Sequence, residues 1–272
     1  MEFIDTQIVS YVYKRNTDIY KGNVKGRQIS SIVALEFLGI MVKNKNKAKM
    51  YPSLGVRLRS FVHLQLLQKR KPGFEIGKAT TDCIKIDFNG EFESIVIFSN
   101  YAISYLINEK NIDALLFFAK NTLDKEDYKK LRKRAQFLID NDIHVVPVNE
   151  RTVSRMFLIY QDIKKEYNVK VNYRNSFMDL LILSTALEKK EKLITVDKEL
   201  NKVLAKYCKY LEVNTDQQGI ASISSCQEPE ESGKLKDSLK YVNNGWNVLI
   251  RKGINPEIEK QKRLRIHSWR KK

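Results

Sequence analysis

The stretch FMDLLILSTALEKKEKLITVDKEL, residues 177–200, carries the pattern that decides the fold. Its first part is apolar nearly all round, which predicts a buried helix over 176–190. A charged turn follows, and the short apolar run at 192–197 predicts a strand that ends in a carboxylate. Another helical pattern begins directly after it. Buried strands that alternate with helices are typical of a parallel α/β sheet.

The same alternation extends over the rest of the chain up to residue 214. The hydrophobic pattern predicts strands at 2–5, 144–148 and 209–214, and helices at 6–15, 26–42, about 58–70, 100–120, 124–141 and 149–167. The segment 83–98 alternates around Asn89 and Gly90, which favours a hairpin with a two-residue type I′ turn. We therefore predict an α/β fold with a central parallel sheet flanked by helices.

Composition divides the chain into three parts. Residues 1–214 are predicted to form one domain, in which 44–141 is an extended basic, hairpin and helical region. Residues 215–234 are polar, contain Gly, Ser and Pro and have no periodicity, so they are interpreted as a linker. Residues 235–272 are predicted to be a basic C-terminal tail.

Positive charge dominates the composition. The 49 Lys and Arg outnumber the 32 Asp and Glu, which gives a formal charge of +17. Such a field attracts polyanions, and nucleic acid is the favoured partner; an anionic membrane surface, or solubility alone, is the alternative reading. The candidate nucleic-acid contacts lie in two basic stretches, 43–71 and the tail: Lys43, Lys45, Lys47, Lys49, Arg57, Arg59, Lys69, Arg70, Lys71, Arg263, Arg265, Trp269 and Arg270.

Several classes of protein are disfavoured. The first residues include Glu2 and Asp5 and no basic segment, unlike a secretory signal. The longest apolar run, 32–42, is short and contains Glu36, so no membrane span is predicted. The three cysteines are far apart and fit neither a zinc site nor a disulfide framework, which indicates a cytoplasmic protein. Glycine-rich nucleotide-binding motifs are absent.

Two carboxylates follow predicted strands. Asp5 comes after the first strand and Asp197 after the strand at 192–197. Parallel sheets place functional groups at the carboxyl ends of their strands, so both are candidates for a site. The structural alternative is that each caps the helix that follows it.

Two further carboxylates lie inside apolar helical patterns. Glu36 is the only charged residue of 32–42, and a buried carboxylate needs a cation, hydrogen bonds or a proton. The alternative for Glu36 is a buried Lys or Arg partner. Asp179 lies within the apolar helix; if Ser176 capped that helix, Asp179 would take part in a capping box.

A fold that brought the four acids together would need a counter-cation, because like charges at short range cannot all stay ionised. Oxygen-only ligands suit Mg²⁺ or Mn²⁺. For a basic protein with such a cluster, the obvious substrate is a phosphodiester bond.

Three segments resemble the PIN-domain nucleases, especially the toxin-type ribonucleases: FIDTQIV (3–9), ISSIVALEFLG (29–39) and the quoted stretch 177–200. The resemblance implies a metal site that holds Mg²⁺ or Mn²⁺ and performs catalysis, formed by Asp5, Glu36, Asp179 and Asp197. Thr6 and Thr195 match supporting polar positions of the family, and Glu199 is a weaker candidate for a further carboxylate.

The resemblance covers about 1–43 and 144–214. It implies a metal-dependent endonuclease that acts on RNA rather than DNA, in a toxin, defence or RNA-processing role. Two other readings stay open: a non-catalytic nucleic-acid-binding scaffold, and a structure-selective DNA nuclease. A protein inhibitor, a complex partner and a homodimer are compatible with this family.

Overall fold

The structure is a computed structural model that describes residues 1–15, 20–41, 49–50, 83–88, 90–120, 123–167, 169, 172–226 and 240–243. The helices within these residues are α1 (Thr6–Tyr13), α2 (Ser31–Leu38), α3 (Asn100–Asn108), α4 (Ile112–Lys120), α5 (Lys125–Asp140), α6 (Glu150–Ile163), α7 (Tyr173–Glu188) and α8 (Lys198–Tyr207). The strands are β1 (Glu2–Ile4), β2 (Gln28–Ser30), β3 (Ile40–Met41), β4 (Lys49–Met50), β5 (Cys83–Asp87), β6 (Ile95–Phe98), β7 (His144–Val146), β8 (Lys192–Thr195), β9 (Leu211–Thr215), β10 (Ala221–Ser225) and β11 (Lys240–Asn243).

A six-stranded sheet forms the centre, in the order β7-β2-β1-β8-β10-β9. The first four strands are parallel, whereas β10 is antiparallel to both of its neighbours. Phe3 and Ile4 of β1 are fully buried because helices pack around the sheet. The predicted α/β fold with a central parallel sheet is thus confirmed. The carboxyl ends of β2, β1 and β8 meet at one edge, which is where such sheets place their sites.

The apolar side chains of the sheet and the helices form one continuous core. In the part of the chain that the structure describes, no helix is both long and apolar enough to cross a membrane.

The prediction of a single helix over 26–42 is wrong. This segment forms β2, then α2, and then the short strand β3. Ile29 pairs with Val145 of β7, and Ser30 ends the strand because its hydroxyl accepts the Val33 N–H at 3.2 Å and so caps α2. An apolar run buried on all sides does not show by periodicity where a strand gives way to a helix.

The hairpin predicted at 83–98 exists, but its two-residue turn is wrong. β5 pairs with β6 in the register Ile86 to Ile95, so a longer loop joins the strands. That loop turns Phe88 inwards, where its ring lies 4.5 Å from the ring of Phe177 on α7. Phe92 of the same loop stacks on Tyr173 at 5.2 Å. A tight turn does form inside this longer loop, since the Glu91 N–H donates to the Phe88 carbonyl at 3.1 Å and Gly90 has a φ of +87°.

The linker predicted at 215–234 is wrong over its first part, and β9 is not the last strand. Residues 221–225 form β10, which inserts between β8 and β9. Ala221 and Ile223 are fully buried, and Ser222 between them is half-buried. Within the predicted tail, residues 240–243 form β11, which pairs with β5. Residues 244–272 lie outside the described part.

Helix boundaries differ from the prediction at two places. The pattern at 100–120 is two helices, α3 and α4, separated at Lys110, whose φ is +55°. The helix predicted at 176–190 begins earlier, at Tyr173, with Asn172 in the cap position. The helix predicted at about 58–70 lies outside the described residues.

Two asparagines of α3 cover the outer edge of β7. Asn108 donates its amide to the Val145 carbonyl at 2.9 Å and accepts the Val145 N–H at 2.8 Å. Asn100 is fully buried and binds Val148, two residues after β7: its amide donates to the Val148 carbonyl, and its oxygen accepts the Val148 N–H, both at 2.9 Å. The same oxygen also accepts the Ser31 hydroxyl. The side-chain amides thus replace the next strand, because buried backbone groups need hydrogen-bond partners.

Asn100→Ala should lower the free energy of unfolding by about 3 kcal/mol, because the Val148 carbonyl and the Ser31 hydroxyl lose a buried partner and the Val148 N–H keeps only the Ser31 oxygen at 3.3 Å. Urea denaturation measures the difference. The control is Asn214→Ala, since the exposed side chain of Asn214 bonds only to the Glu212 side chain; it should change stability by no more than about 0.5 kcal/mol. Equal effects of the two variants would contradict the structural role of Asn100.

Candidate active site

Asp5 lies at the carboxyl end of β1 and is only 8% exposed. One carboxylate oxygen accepts the N–H groups of Gln7 at 2.6 Å and Ile8 at 3.1 Å, so Asp5 caps α1. The other oxygen accepts the hydroxyl of Thr195. Burial raises the pKa of Asp5 above its ordinary value, although the hydrogen bonds oppose this. The capping alternative is therefore correct for Asp5, and it leaves the carboxylate at the edge where a site is expected.

Asp197 follows β8 and caps α8. Its Oδ1 accepts the Leu200 N–H at 2.9 Å. Its own N–H donates to the hydroxyl oxygen of Thr195 at 3.1 Å. Thr195 therefore bonds to Asp5 on one side and to Asp197 on the other, and this single hydroxyl connects the two strand ends.

Glu36 lies on α2, which begins at the same edge of the sheet. Its Oε2 accepts the Thr6 hydroxyl at 2.5 Å. Within the described residues, no Lys or Arg forms an ion pair with Glu36, so the buried-pair alternative finds no support. Thr6 starts α1 directly after Asp5, and the hydrogen bond from Thr6 therefore holds Glu36 towards the end of β1.

Asp179 lies in the interior of α7. Ser176 is itself a helical residue, so the capping-box alternative for Asp179 is wrong. Burial is the largest cause that raises the pKa of Asp179 to about 8. Three negative charges raise it in the same direction: Glu36, Asp197 and Asp5. The four carboxylates therefore lie near enough to one another to interact electrostatically.

Tyr167, in the connection between α6 and α7, is a neighbour of the cluster that the sequence reasoning missed. It bonds to the Ser176 side chain, and its pKa is raised by burial and by the charges of Asp179 and Asp197. Tyr167 comes at the end of an amphipathic pattern, and no local signal distinguishes it from a packing residue.

Glu199 does not join the cluster. Its exposed carboxylate lies 3.7 Å from the Lys202 amine, one turn along α8, and its charge is not among those that raise the pKa of Asp179. Of the predicted nucleic-acid contacts, only Lys49 falls within the described residues, where it pairs with Met41 in a short two-stranded sheet.

The chemistry of the cluster fits a hard divalent cation. All donors are carboxylate or hydroxyl oxygens, which suit Mg²⁺. Crowded carboxylates that raise one another's pKa are also stabilised by a nearby cation. In the described part, no three Asp, Glu, His or Cys side chains are already spaced to hold one ion together. Mg²⁺ is compatible with this, since it keeps several waters and contacts one or two carboxylates directly.

Asp179 should make the folded protein less stable as pH rises. In the unfolded chain it loses its proton near pH 3.8, and in the folded protein near pH 8. Between these values the unfolded state binds fewer protons, so stability falls with pH. Asp179→Asn should therefore be more stable than wild type in EDTA at about pH 8, by about 2 kcal/mol, because water screens part of the full effect.

Thermal melting in EDTA at about pH 5 and about pH 8 tests this prediction. The advantage of Asp179→Asn should grow with pH, because the difference in bound protons acts over that window. Asp113→Asn, an exposed acid on α4, serves as control and should show no such trend. A lower melting temperature for Asp179→Asn at both pH values would show that the cluster does not strain the folded state.

Comparisons with known proteins identify a family for part of the chain. The family model described as PIN domain matches residues 97–206. The match includes Asp179 and Asp197, whereas Asp5 and Glu36 lie before it. It also includes the helices α3 to α5, which belong to the extended region predicted at 44–141. No curated protein and no solved structure matches the chain. PIN domains are nucleases, typically dependent on a divalent metal. The chain therefore carries a match to the PIN domain over residues 97–206, and its mostly parallel α/β architecture is consistent with a PIN-like fold.

Proposed function

We propose that this protein is a Mg²⁺- or Mn²⁺-dependent endonuclease that hydrolyses phosphodiester bonds in RNA. The observation that carries the proposal is the raised pKa of Asp179, which three other carboxylates at the same edge of the sheet help to produce. The proposed metal ligands and catalytic residues are Asp5, Glu36, Asp179 and Asp197. A divalent ion there would supply an activated water and charge stabilisation for the leaving oxygen.

Side chains of this protein position the proposed ligands and set the charge of the site. Thr195 and the amino end of α1 hold the Asp5 carboxylate, and Thr6 holds Glu36. Asp179 keeps a proton at neutral pH in the absence of a cation, because its pKa is about 8. Its carboxyl group gives up this proton when a cation binds, so metal affinity should increase with pH.

RNA is favoured over DNA on the resemblance to toxin-type PIN ribonucleases, and the net charge of +17 favours a polyanionic substrate. RNA cleavage would serve a toxin, a defence protein or an RNA-processing enzyme. A toxin would also need a protein inhibitor to control it. The alternatives are a non-catalytic nucleic-acid-binding scaffold and a structure-selective DNA nuclease.

Purified protein incubated with pooled RNA and with branched DNA tests the proposal, with Mg²⁺, with Mn²⁺ and with EDTA. We expect cleavage of RNA with either metal and none in EDTA. Asp179→Asn should lower turnover by at least about 100-fold while RNA binding stays nearly unchanged, because the lost interaction belongs to the reaction. Asp113→Asn should retain wild-type turnover.

Each contrary outcome selects an alternative. Cleavage of branched DNA alone would identify a structure-selective DNA nuclease. Binding without cleavage by wild type, on every substrate and with either metal, would identify a scaffold. Wild-type turnover by Asp179→Asn would remove Asp179 from the site.

Thr195 should act as a positioning residue. Thr195→Val keeps the shape of the side chain and removes the hydroxyl that bonds Asp5 and Asp197. We expect kcat to fall about 10-fold or more with little change in KM, because misplaced ligands weaken the reaction step rather than substrate binding. Thr195→Ser retains the hydroxyl and should restore most of the turnover. Equal kcat for the Val and Ser variants would show that the hydroxyl does not position the carboxylates.

A further inference from the structure

Helix α5 carries six basic residues whose surroundings differ. Its buried side, with Leu131, Ala135 and Leu138, packs into the core. Arg134 is half-buried and donates to the carbonyl oxygens of Phe37 and Gly39 at the end of α2. These contacts attach α5 to the helix that carries Glu36.

Lys125 is exposed at the first position of α5, and three further exposed cations lie along the outer side of the helix: Lys129, Arg132 and Lys133. Lys130 differs from them because its amine pairs with Asp127 at 2.8 Å. No carboxylate of the described residues pairs with any of the three. Arg132 and Lys133 lie three and four residues after Lys129, one helical turn further on, so the three side chains form one stripe on the helix surface. Unpaired cations that repel one another on one stripe favour the binding of an anion with several charges.

The stripe borders a concave surface. Lys129, Arg132 and Lys133 line a pocket of about 680 Å³, together with Gln136, Phe137, Asp140 and Asn141. Asp140 is the one acid of this lining, and it accepts the Gln136 amide at 2.7 Å. Phe137 is half-buried, with an edge contact to the ring of Tyr13 at 5.3 Å and a tilted contact to the ring of Phe37 at 5.8 Å. A fixed aromatic side chain beside several cations is the combination that single-stranded nucleic acid uses, with phosphates on the cations and a base on the ring.

We propose that this face of α5 is an exosite for single-stranded RNA, where the strand that is cleaved at the carboxylate cluster makes additional phosphate contacts. The inference rests on the proposed function for its substrate. It adds Lys129, Arg132 and Lys133 as contacts that lie outside the two basic stretches identified in the sequence. An acidic protein would also be attracted to the cations, but it would not use the aromatic ring next to them.

The test is binding of a fluorescently labelled single-stranded RNA, in EDTA to prevent cleavage, over a range of salt concentrations. The variant carries Lys129→Gln, Arg132→Gln and Lys133→Gln. We expect weaker binding at low salt and a log–log salt slope that is smaller by about 2, because each lost phosphate contact removes about 0.7. The control removes three exposed cations elsewhere, with Lys189→Gln, Lys202→Gln and Lys209→Gln, and should change the slope much less.

Competition with poly-glutamate separates the two classes of partner. We expect poly-glutamate to displace the labelled RNA from wild type poorly. If poly-glutamate displaced it as efficiently as unlabelled RNA does, this face of α5 would be assigned to an acidic protein instead. Equal slopes for the α5 variant and the control would overturn the exosite. The salt slopes and the competition are measured by binding alone. Failure of the proposed function would instead appear as absence of cleavage, so the two failures can be told apart. Matching melting temperatures show that both variants are folded.

Discussion

The buried carboxylate of Asp5 is the contact on which the centre of this structure depends. It ends the central strand, begins α1 and accepts a hydroxyl from the end of β8, so three elements meet at one side chain. A carboxylate this deeply buried is costly unless donors surround it. The donors come from backbone N–H groups and a threonine rather than from a lysine or arginine, so no basic side chain neutralises the carboxylate, and burial raises its pKa. The same group can therefore hold the fold together and contribute to a cation site.

Much of this arrangement could be predicted from the sequence, because its causes are local. A carboxylate directly after a short apolar strand is visible at Asp5 and Asp197, and parallel strands bring such ends to one edge. Glu36 and Asp179 stand out because each interrupts an apolar helical pattern. The sequence could not decide between capping and a site for Asp5, and the structure shows that capping and placement at the edge occur together.

The elements that were missed depend on contacts between distant parts of the chain. β10 contains three serines and is a strand because it completes pairing with β8 and β9. The prediction at Gly90 missed the longer loop that surrounds the turn, in which Phe88 packs against Phe177 of α7. The asparagines that cover β7 have no periodic signature. Local propensity is a weak guide wherever tertiary contacts decide the outcome.

The cluster also links stability to function. Burial in the apolar surroundings of α7 is the largest cause that raises the pKa of Asp179, because it disfavours the charged form. The charges of Glu36, Asp197 and Asp5 raise it further, so Asp179 keeps a proton near neutral pH. A cation that replaces the proton removes both costs at once, so its binding energy partly becomes folding energy. Active sites often hold such strain, and the proposed cation site would account for Asp179 inside an otherwise apolar helix, where packing alone would favour a leucine.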